Sequence, residues 1–219
     1  MDYTCFLDIE TIPLQDQGKI LEIKADISPP ANIKKPDSIE KWLEENADKA
    51  TAEKVAKTSF DPALGHICTI SWAVDDEEPM TAHATTLEQE ADVLRAFFGS
   101  LRENHRYTFV GHYVGGFDLR FILCRAVVLG VKIPQCLPRD PKPWDKTVFD
   151  TMTAWAGARG TISMDNLCAA LGIEGKGDFD GSQVAEAWAN GEHEKIAAYC
   201  ASDVTRTREI WRRFNAVGW

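Results

Sequence analysis

Several features are missing from this sequence of 219 residues, and each absence excludes a class of protein. The six cysteines are scattered and form no CxxC pair, which argues against a zinc ribbon or knuckle. The N-terminus has no basic region, and no apolar run is long enough to span a bilayer. Cys124, Cys168 and Cys200 lie in apolar helical patterns that are typical of small core residues, and this usage fits a reducing compartment. We therefore expect a soluble, cytoplasmic protein with no membrane partner.

The composition is that of an ordinary globular domain with an acidic balance. Hydrophobic residues make up 44% and charged residues 26%, and the length suits a single domain spanning residues 1–219. The formal net charge of −10 argues against a protein that coats nucleic acid by neutralising phosphates. This net charge does not exclude a metal-dependent nuclease, because such an enzyme concentrates acidic residues at its site and bound cations reverse the local electric field.

The order of apolar segments predicts an α/β fold with a mixed five-stranded sheet flanked by helices. Three strands are expected first, then a helix, then a fourth strand, and strands that follow one another directly favour antiparallel pairing. The helical connection before the fourth strand favours parallel pairing there. Residues 14–37 are predicted to be mostly loop, and a helical insertion over about 37–57 is predicted to pack over the sheet or to line a substrate groove. The predicted strands cover residues 6–11, 65–74, 80–84, 107–111 and 147–152.

The first strand carries two carboxylates on one face. In the segment Phe6-Leu7-Asp8-Ile9-Glu10-Thr11, alternation places Asp8 and Glu10 on the side opposite Leu7 and Ile9. Buried carboxylates need a partner, and neighbouring acids cannot serve each other. A divalent cation would satisfy both, whereas a hairpin strand with a solvated face would give the same pattern.

The fourth strand ends in a second acidic segment, Gly111-His112-Tyr113-Val114-Gly115-Gly116-Phe117-Asp118. Open α/β sheets bind ligands at the carboxyl ends of their strands, so Asp118 is a candidate site residue. Taken alone, Asp118 is better explained as an acid that favours the first turn of the following helix.

The last long helix carries the third acidic segment, Tyr199-Cys200-Ala201-Ser202-Asp203. Tyr199 and Asp203 are four residues apart and therefore share one face. The alternative is a tyrosine at the core edge and an exposed aspartate paired with Arg206 or Arg208.

Two polar loops offer basic groups to a ligand. Residues 131–146 place Arg139, Lys142 and Lys146 around Trp144, a combination that suits single-stranded nucleic acid or an ordinary surface loop. Lys176 precedes the segment Asp180-Gly181-Ser182 and could meet a phosphate or remain solvated.

Together the three acidic segments resemble the DEDD-type 3′–5′ exonucleases of the ribonuclease-H-like superfamily, and the chain is similar to the exonuclease domains of family B DNA polymerases. The YxxxD form of the third segment is that of the tyrosine subtype. The histidine subtype would carry histidine five residues before Asp203, where this chain has Ala198. The family commonly carries asparagine five residues before its second-motif aspartate, where this chain has Tyr113.

The resemblance implies a metal-dependent exonuclease with two Mg²⁺ or Mn²⁺ ions. Asp8, Glu10, Asp118 and Asp203 would be the ligands, and Asp8 would bridge the ions. Tyr199 would orient the attacking water, because a hydroxyl with a pKa of about 10 is a poor base at neutral pH. Residues expected to contact substrate are Ile9, Thr11, His112, Tyr113, Phe117 and Lys176.

The expected product is a nucleoside 5′-monophosphate released from the 3′ end of nucleic acid, with single-stranded DNA favoured and RNA as the alternative. Because the sequence ends at Trp219, soon after the third segment, we expect a free-standing enzyme or a subunit acting in trans with a polymerase or a replication or repair protein. The competing hypothesis is a catalytically silent nucleic-acid-binding module on the same fold.

Overall fold

A computed structural model describes residues 2–142, 145–175 and 177–219, and within these ranges the chain forms one five-stranded sheet. The strand order is β3-β2-β1-β4-β5. β2 is antiparallel to β1 and β3, whereas β4 is parallel to β1 and β5, so the predicted mixed sheet is confirmed. The strands are Asp2–Ile12 (β1), His66–Val74 (β2), Met80–His83 (β3), Arg106–Gly111 (β4) and Val148–Asp150 (β5).

Helices cover both faces of this sheet, and their ends follow local sequence signals. Thr86 and Gln89 form a capping box before the third helix, and Ser163 caps the sixth. Gly130 ends the fourth with a left-handed φ of 66°. The α-helices are Gln17–Ala25 (α1), Pro36–Lys57 (α2), Glu90–Ser100 (α3), Asp118–Leu129 (α4), Thr151–Ala156 (α5), Met164–Leu171 (α6), Val184–Ala189 (α7) and His193–Ala216 (α8).

The central strand β1 is buried on both faces, and its alternation decides where its carboxylates point. Leu7 and Ile9 belong to the large core formed with α3 and α4. Phe6 packs on the opposite face with Val204 of α8. Asp8 and Glu10 share the face of Phe6 and therefore lie on the side that α8 covers.

The insertion between β1 and β2 differs from the prediction. The segment predicted as mostly loop contains α1, which buries none of its residues and so has no apolar stripe to reveal it. α2 begins at Pro36 rather than Asp37, because proline suits the first helical position. Of the residues in α2, Thr51 is the one that is buried, and the helix packs mainly on α1 rather than over the sheet.

The segment predicted as the end of the fifth strand is also different. β5 stops at Asp150, whose carboxylate accepts hydrogen bonds from the N–H groups of Met152 and Thr153 and so starts α5. In the part of the chain that the structure describes, no helix has both the length and the apolar surface that crossing a bilayer would need.

Candidate active site

The centre of the candidate site is formed by β1 and α8. Glu10 is 9% exposed and Asp8 is partly buried. Carboxylate oxygens of Asp8 and Glu10 and Sγ of Cys200 all lie within 4.8 Å of one another. The Cys200 thiol is 3.4 Å from Oδ2 of Asp8, so α8 is in direct contact with the acidic face of β1.

Asp118 joins the first-motif acids through the backbone of β1. Parallel pairing between β1 and β4 runs as far as Phe6 and Val110. Beyond that point Oδ1 of Asp118 accepts a hydrogen bond from the Ile9 N–H at 3.1 Å. Ile9 lies between Asp8 and Glu10, so this bond fixes the second-motif carboxylate beside the first pair.

The turn that delivers Asp118 depends on Gly111 and Asp150. A Cβ at Gly111 would come within 2.5 Å of the Val114 side chain and 2.9 Å of the Leu7 carbonyl oxygen, which explains the glycine. Oδ1 of Asp150 accepts from the Tyr113 N–H at 3.1 Å, and Oδ2 accepts from the Gly115 N–H at 3.3 Å. Asp150 therefore holds the loop between β4 and α4 from the neighbouring strand.

The surroundings of Asp8 and Asp118 raise the pKa of both carboxyl groups. Burial raises the pKa of Asp8 well above its ordinary range, Glu10 and Asp118 raise it further, and the Cys200 thiol and the Arg206 guanidinium oppose the rise. Burial also raises the pKa of Asp118 to about 7, with Asp150 adding to the effect, although N–H donors oppose it. A bound divalent cation would stabilise the ionised form of these carboxylates.

Tyr199 lies on α8 beside this cluster. Its ring meets the ring of Phe179 edge-on, with centroids 5.2 Å apart. Burial, followed by the nearby carboxylates of Glu10 and Asp8, raises the pKa of the Tyr199 hydroxyl. The hydroxyl therefore stays protonated at neutral pH and is suited to donating a hydrogen bond.

Asp203 is buried, with 7% exposure, and forms an ion pair with Arg206. The sequence left open an exposed aspartate paired with Arg206 or Arg208. The structure gives a buried carboxylate paired with Arg206, while Nη1 of Arg208 donates to the Glu77 carbonyl at 2.6 Å.

The donor set fits a divalent cation of the hard type. The side chains of Asp8, Glu10, Asp118 and Asp203 offer carboxylate oxygens, the ligands that Mg²⁺ and Mn²⁺ prefer. Within the described ranges, Asp8, Glu10 and Cys200 form a group that could hold a metal ion. Asp118 is bonded to Ile9 between the two acids, and Asp203 lies about one helical turn after Cys200 on α8.

The predicted substrate residues divide into two sets, and the first set is engaged within the fold. The Ile9 side chain is 5% exposed, and the Thr11 hydroxyl donates to the Ser59 carbonyl at 2.8 Å. His112 Nδ1 lies 2.9 Å from the Thr151 hydroxyl and Nε2 lies 2.8 Å from the Ile162 carbonyl oxygen. Both ring nitrogens of His112 are thus occupied.

The second set, Tyr113 and Phe117, lies at the surface of the second motif. Tyr113 is 48% exposed and has a φ of 66°. Its ring covers Gly116, where an added Cβ would come within 2.4 Å of it. The sequence predictions for Lys176 and Trp144 lie outside the described residues.

Phe60 extends this aromatic surface, and sequence reasoning did not predict it. The side chain is 71% exposed, and its ring centroid is 6.1 Å from that of Phe117. Its backbone turn is anchored to β1, because Thr11 bonds to Ser59 and the Thr58 hydroxyl accepts from the Leu14 N–H at 2.8 Å. No local sequence signal marks Phe60, since only the fold brings the end of the insertion to Phe117.

The fold and the acidic cluster define an α/β protein of the ribonuclease-H-like type with a candidate metal centre. Residues 59–218 match the model of a family described as predicted 3′–5′ exonucleases related to the exonuclease domain of PolB. The chain belongs to this family and is therefore an enzyme of the hydrolase class. The matched range includes Asp118, Tyr199 and Asp203 and begins after β1.

A solved structure extends the similarity to the whole fold. The chain is similar to the family B DNA polymerase of the hyperthermophilic archaeon Pyrobaculum calidifontis, with a TM-score of 0.60 and 14% sequence identity. The match covers 96% of this chain and 24% of the polymerase, so the chain spans about a quarter of that protein. At this identity the match supports the fold alone. No curated protein matches the sequence.

Proposed function

We propose that this protein is a metal-dependent 3′–5′ exonuclease of the tyrosine subtype, with single-stranded DNA as its preferred substrate. The observation that carries the proposal is the hydrogen bond from the Ile9 N–H to Asp118. It links residues 109 positions apart and brings the second-motif acid to the peptide between Asp8 and Glu10. A purely structural strand would have no need to collect like charges in this way.

The four acids Asp8, Glu10, Asp118 and Asp203 are proposed as the ligands of two ions of the Mg²⁺ or Mn²⁺ type. Such ions, when bound, stabilise the charge on the attacking and leaving oxygens of a phosphodiester. The protein contributes the fixed positions of its carboxylates. Asp118 is held by Ile9, and Asp8 is in contact with the thiol of Cys200.

Tyr199 is proposed to position the water that attacks the last phosphodiester. The water oxygen bonds to phosphorus while one of its protons passes to solvent, the bond from phosphorus to the 3′ oxygen breaks, and that oxygen takes up a proton from solvent. The products are a nucleoside 5′-monophosphate and a strand shortened by one nucleotide. Because its raised pKa keeps Tyr199 protonated, its hydroxyl is suited to orienting the water rather than to removing the proton.

The exposed rings of Phe60 and Tyr113, with the partly buried ring of Phe117, are proposed to contact the bases at the 3′ end. Aromatic side chains stack on bases of any sequence, which suits an enzyme that removes successive nucleotides. Phe117 immediately precedes Asp118 in the chain, and the Phe60 ring centroid lies 6.1 Å from that of Phe117.

The proposal is tested with oligonucleotides of one sequence, made as DNA and RNA, single-stranded and duplex, and labelled at either end. We expect a 5′ label to appear on a ladder that shortens from the 3′ end, and a 3′ label to be released at once as a mononucleotide. Immediate release of the 5′ label would refute the proposed polarity. Faster digestion of RNA than of DNA would overturn the substrate preference and leave the reaction class intact.

A further inference from the structure

Arg206 is a buried cation next to the candidate metal centre. It lies one helical turn after Asp203 on α8 and is 6% exposed. Helical side chains lean toward the N-terminus of the helix, so the guanidinium reaches back over Asp203, and Nη2 contacts Oδ1 of that residue. Among the described residues its Nε has no hydrogen-bond partner, so the ion pair with Asp203 dominates its surroundings.

The positive charge of Arg206 affects other residues of the site besides Asp203. It also opposes the raised pKa values of Asp8 and Tyr199. Arg206 is thus a single positive charge set among the carboxylates that are proposed as metal ligands. Any divalent cation held by these carboxylates would be repelled by this guanidinium, because like charges in a poorly solvated site interact strongly.

The side chain of Arg206 also borders a cavity. Arg206 lines a cavity of about 640 Å³ between α8 and the loop that starts at Gly172. Glu174, Glu209 and Arg213 line the same cavity, and Glu209 already forms an ion pair with Arg212. Moving the guanidinium into this cavity would leave Asp203 buried without its counter-charge, so the geometry favours the closed ion pair.

We propose that Arg206 is the internal counter-ion of the acidic centre, and that its positive charge weakens the binding of divalent cations there. The inference rests on the proposed function, because it takes Asp8 and Asp203 as metal ligands. It assigns Arg206 a positioning and tuning role that the sequence motifs do not include.

The test is calorimetric titration of Mn²⁺ at pH 7.5 into the wild type, Arg206→Gln, Arg206→Lys and Arg208→Gln. Arg208 is the matched control, since it is also a buried arginine of α8 but bonds to Glu77. We expect Arg206→Gln to bind Mn²⁺ about tenfold more tightly than the wild type. Arg206→Lys and Arg208→Gln should stay within about threefold of the wild type.

The outcomes separate this inference from the proposed function. The counter-ion role is refuted if Arg206→Gln and Arg208→Gln bind Mn²⁺ equally tightly. It is also refuted if Arg206→Lys binds Mn²⁺ about tenfold more tightly than the wild type. The lysine comparison holds even if the glutamine variant does not fold. If the wild type binds no Mn²⁺, or if Asp8→Asn binds it as well as the wild type does, the metal centre itself is refuted.

Discussion

The backbone N–H of Ile9 donates a hydrogen bond to Oδ1 of Asp118 at 3.1 Å. Ile9 lies between Asp8 and Glu10, and β4 no longer pairs with β1 at this point. Asp118 therefore takes over a backbone donor that a longer β4 would have satisfied. The early end of β4 thus both opens the sheet and fixes the geometry of the acidic site.

The first prediction concerns pH. The pKa of Asp118 is about 7 in the folded protein against about 3.9 in an unfolded chain, so between these values the folded state binds more protons. Stability without metal must then fall as pH rises from about 4 to 7. Asp118→Asn cannot ionise, and we expect it to lose less stability over this range, by at most roughly 4 kcal/mol. Urea denaturation in EDTA at pH 4 and pH 7.5 measures the difference, and an equal loss of stability in both proteins would contradict it.

The second prediction is that Asp8→Asn and Asp203→Asn shift stability in opposite directions. Removing the Asp8 charge relieves repulsion from Glu10 and Asp118, so the free energy of unfolding in EDTA should rise by about 1 kcal/mol or more. Removing the Asp203 charge leaves Arg206 buried without its ionic partner, which should cost about 3–5 kcal/mol. Denaturant titration of both variants at pH 7.5 tests this. A gain of stability in both would mean that Arg206 does not neutralise Asp203, and a loss in both would mean that the Asp8 charge is not under net repulsion.

The third prediction separates orientation by Tyr199 from proton transfer. Tyr199→Phe keeps the edge-on contact with Phe179 but lacks the hydroxyl. We expect kcat to fall by about tenfold to hundredfold, less than in Asp8→Asn, and the shape of the pH–rate profile to stay unchanged. Single-turnover digestion across pH 6–9 provides the data, and the loss of a basic limb in the variant would favour a proton-transfer role.

The fourth prediction concerns the exposed ring of Phe60. If it stacks on a base beside Phe117, Phe60→Ala should raise the KM for single-stranded DNA about fivefold or more, with little change in kcat. Leu21→Ala is the control, because Leu21 is also exposed, at 65%, but belongs to α1. An equal KM in both variants would exclude Phe60 from the substrate surface.

The fifth prediction concerns Tyr113, which stands where the family commonly has asparagine. Its φ of 66° lies in the left-handed region, which asparagine tolerates better than most other residues with side chains. Tyr113→Asn should therefore keep the fold and add up to about 1 kcal/mol of stability. A thermal melt tests this, and a large loss of stability would show that the tyrosine ring over Gly116 is needed to hold the loop.

Local signals in the sequence were sufficient for the sheet and for most helix ends. Strand alternation placed Asp8 and Glu10 opposite Leu7 and Ile9, and Thr86 and Ser163 are residues of the types that cap helices, at the starts of helical segments. α1 was missed because it is exposed all round and carries no periodic apolar pattern. α5 was missed because the residues after Asp150 read as a continuing strand, and only the carboxylate cap of Asp150 starts the helix.

Relationships across the site were beyond the reach of the sequence. The choice between Arg206 and Arg208 as partner of Asp203 depends on the side of α8 that faces the core, and both arginines lie within one or two turns of it. The ties of His112 to Thr151 and Ile162 and the approach of Phe60 to Phe117 require the folded chain. Tertiary contacts between distant segments decide each of these.

The most direct measurement is the digestion of a 5′-labelled single-stranded DNA with Mg²⁺, Mn²⁺ or EDTA, by the wild type, Asp8→Asn and the exposed-surface control Asp92→Asn. We expect a ladder that shortens from the 3′ end and requires the metal. The ladder should be unchanged in Asp92→Asn and absent in Asp8→Asn, which we expect to be folded and more stable than the wild type. Digestion by Asp8→Asn at the wild-type rate, or full activity in EDTA, would contradict the assignment of this cluster as the catalytic metal centre.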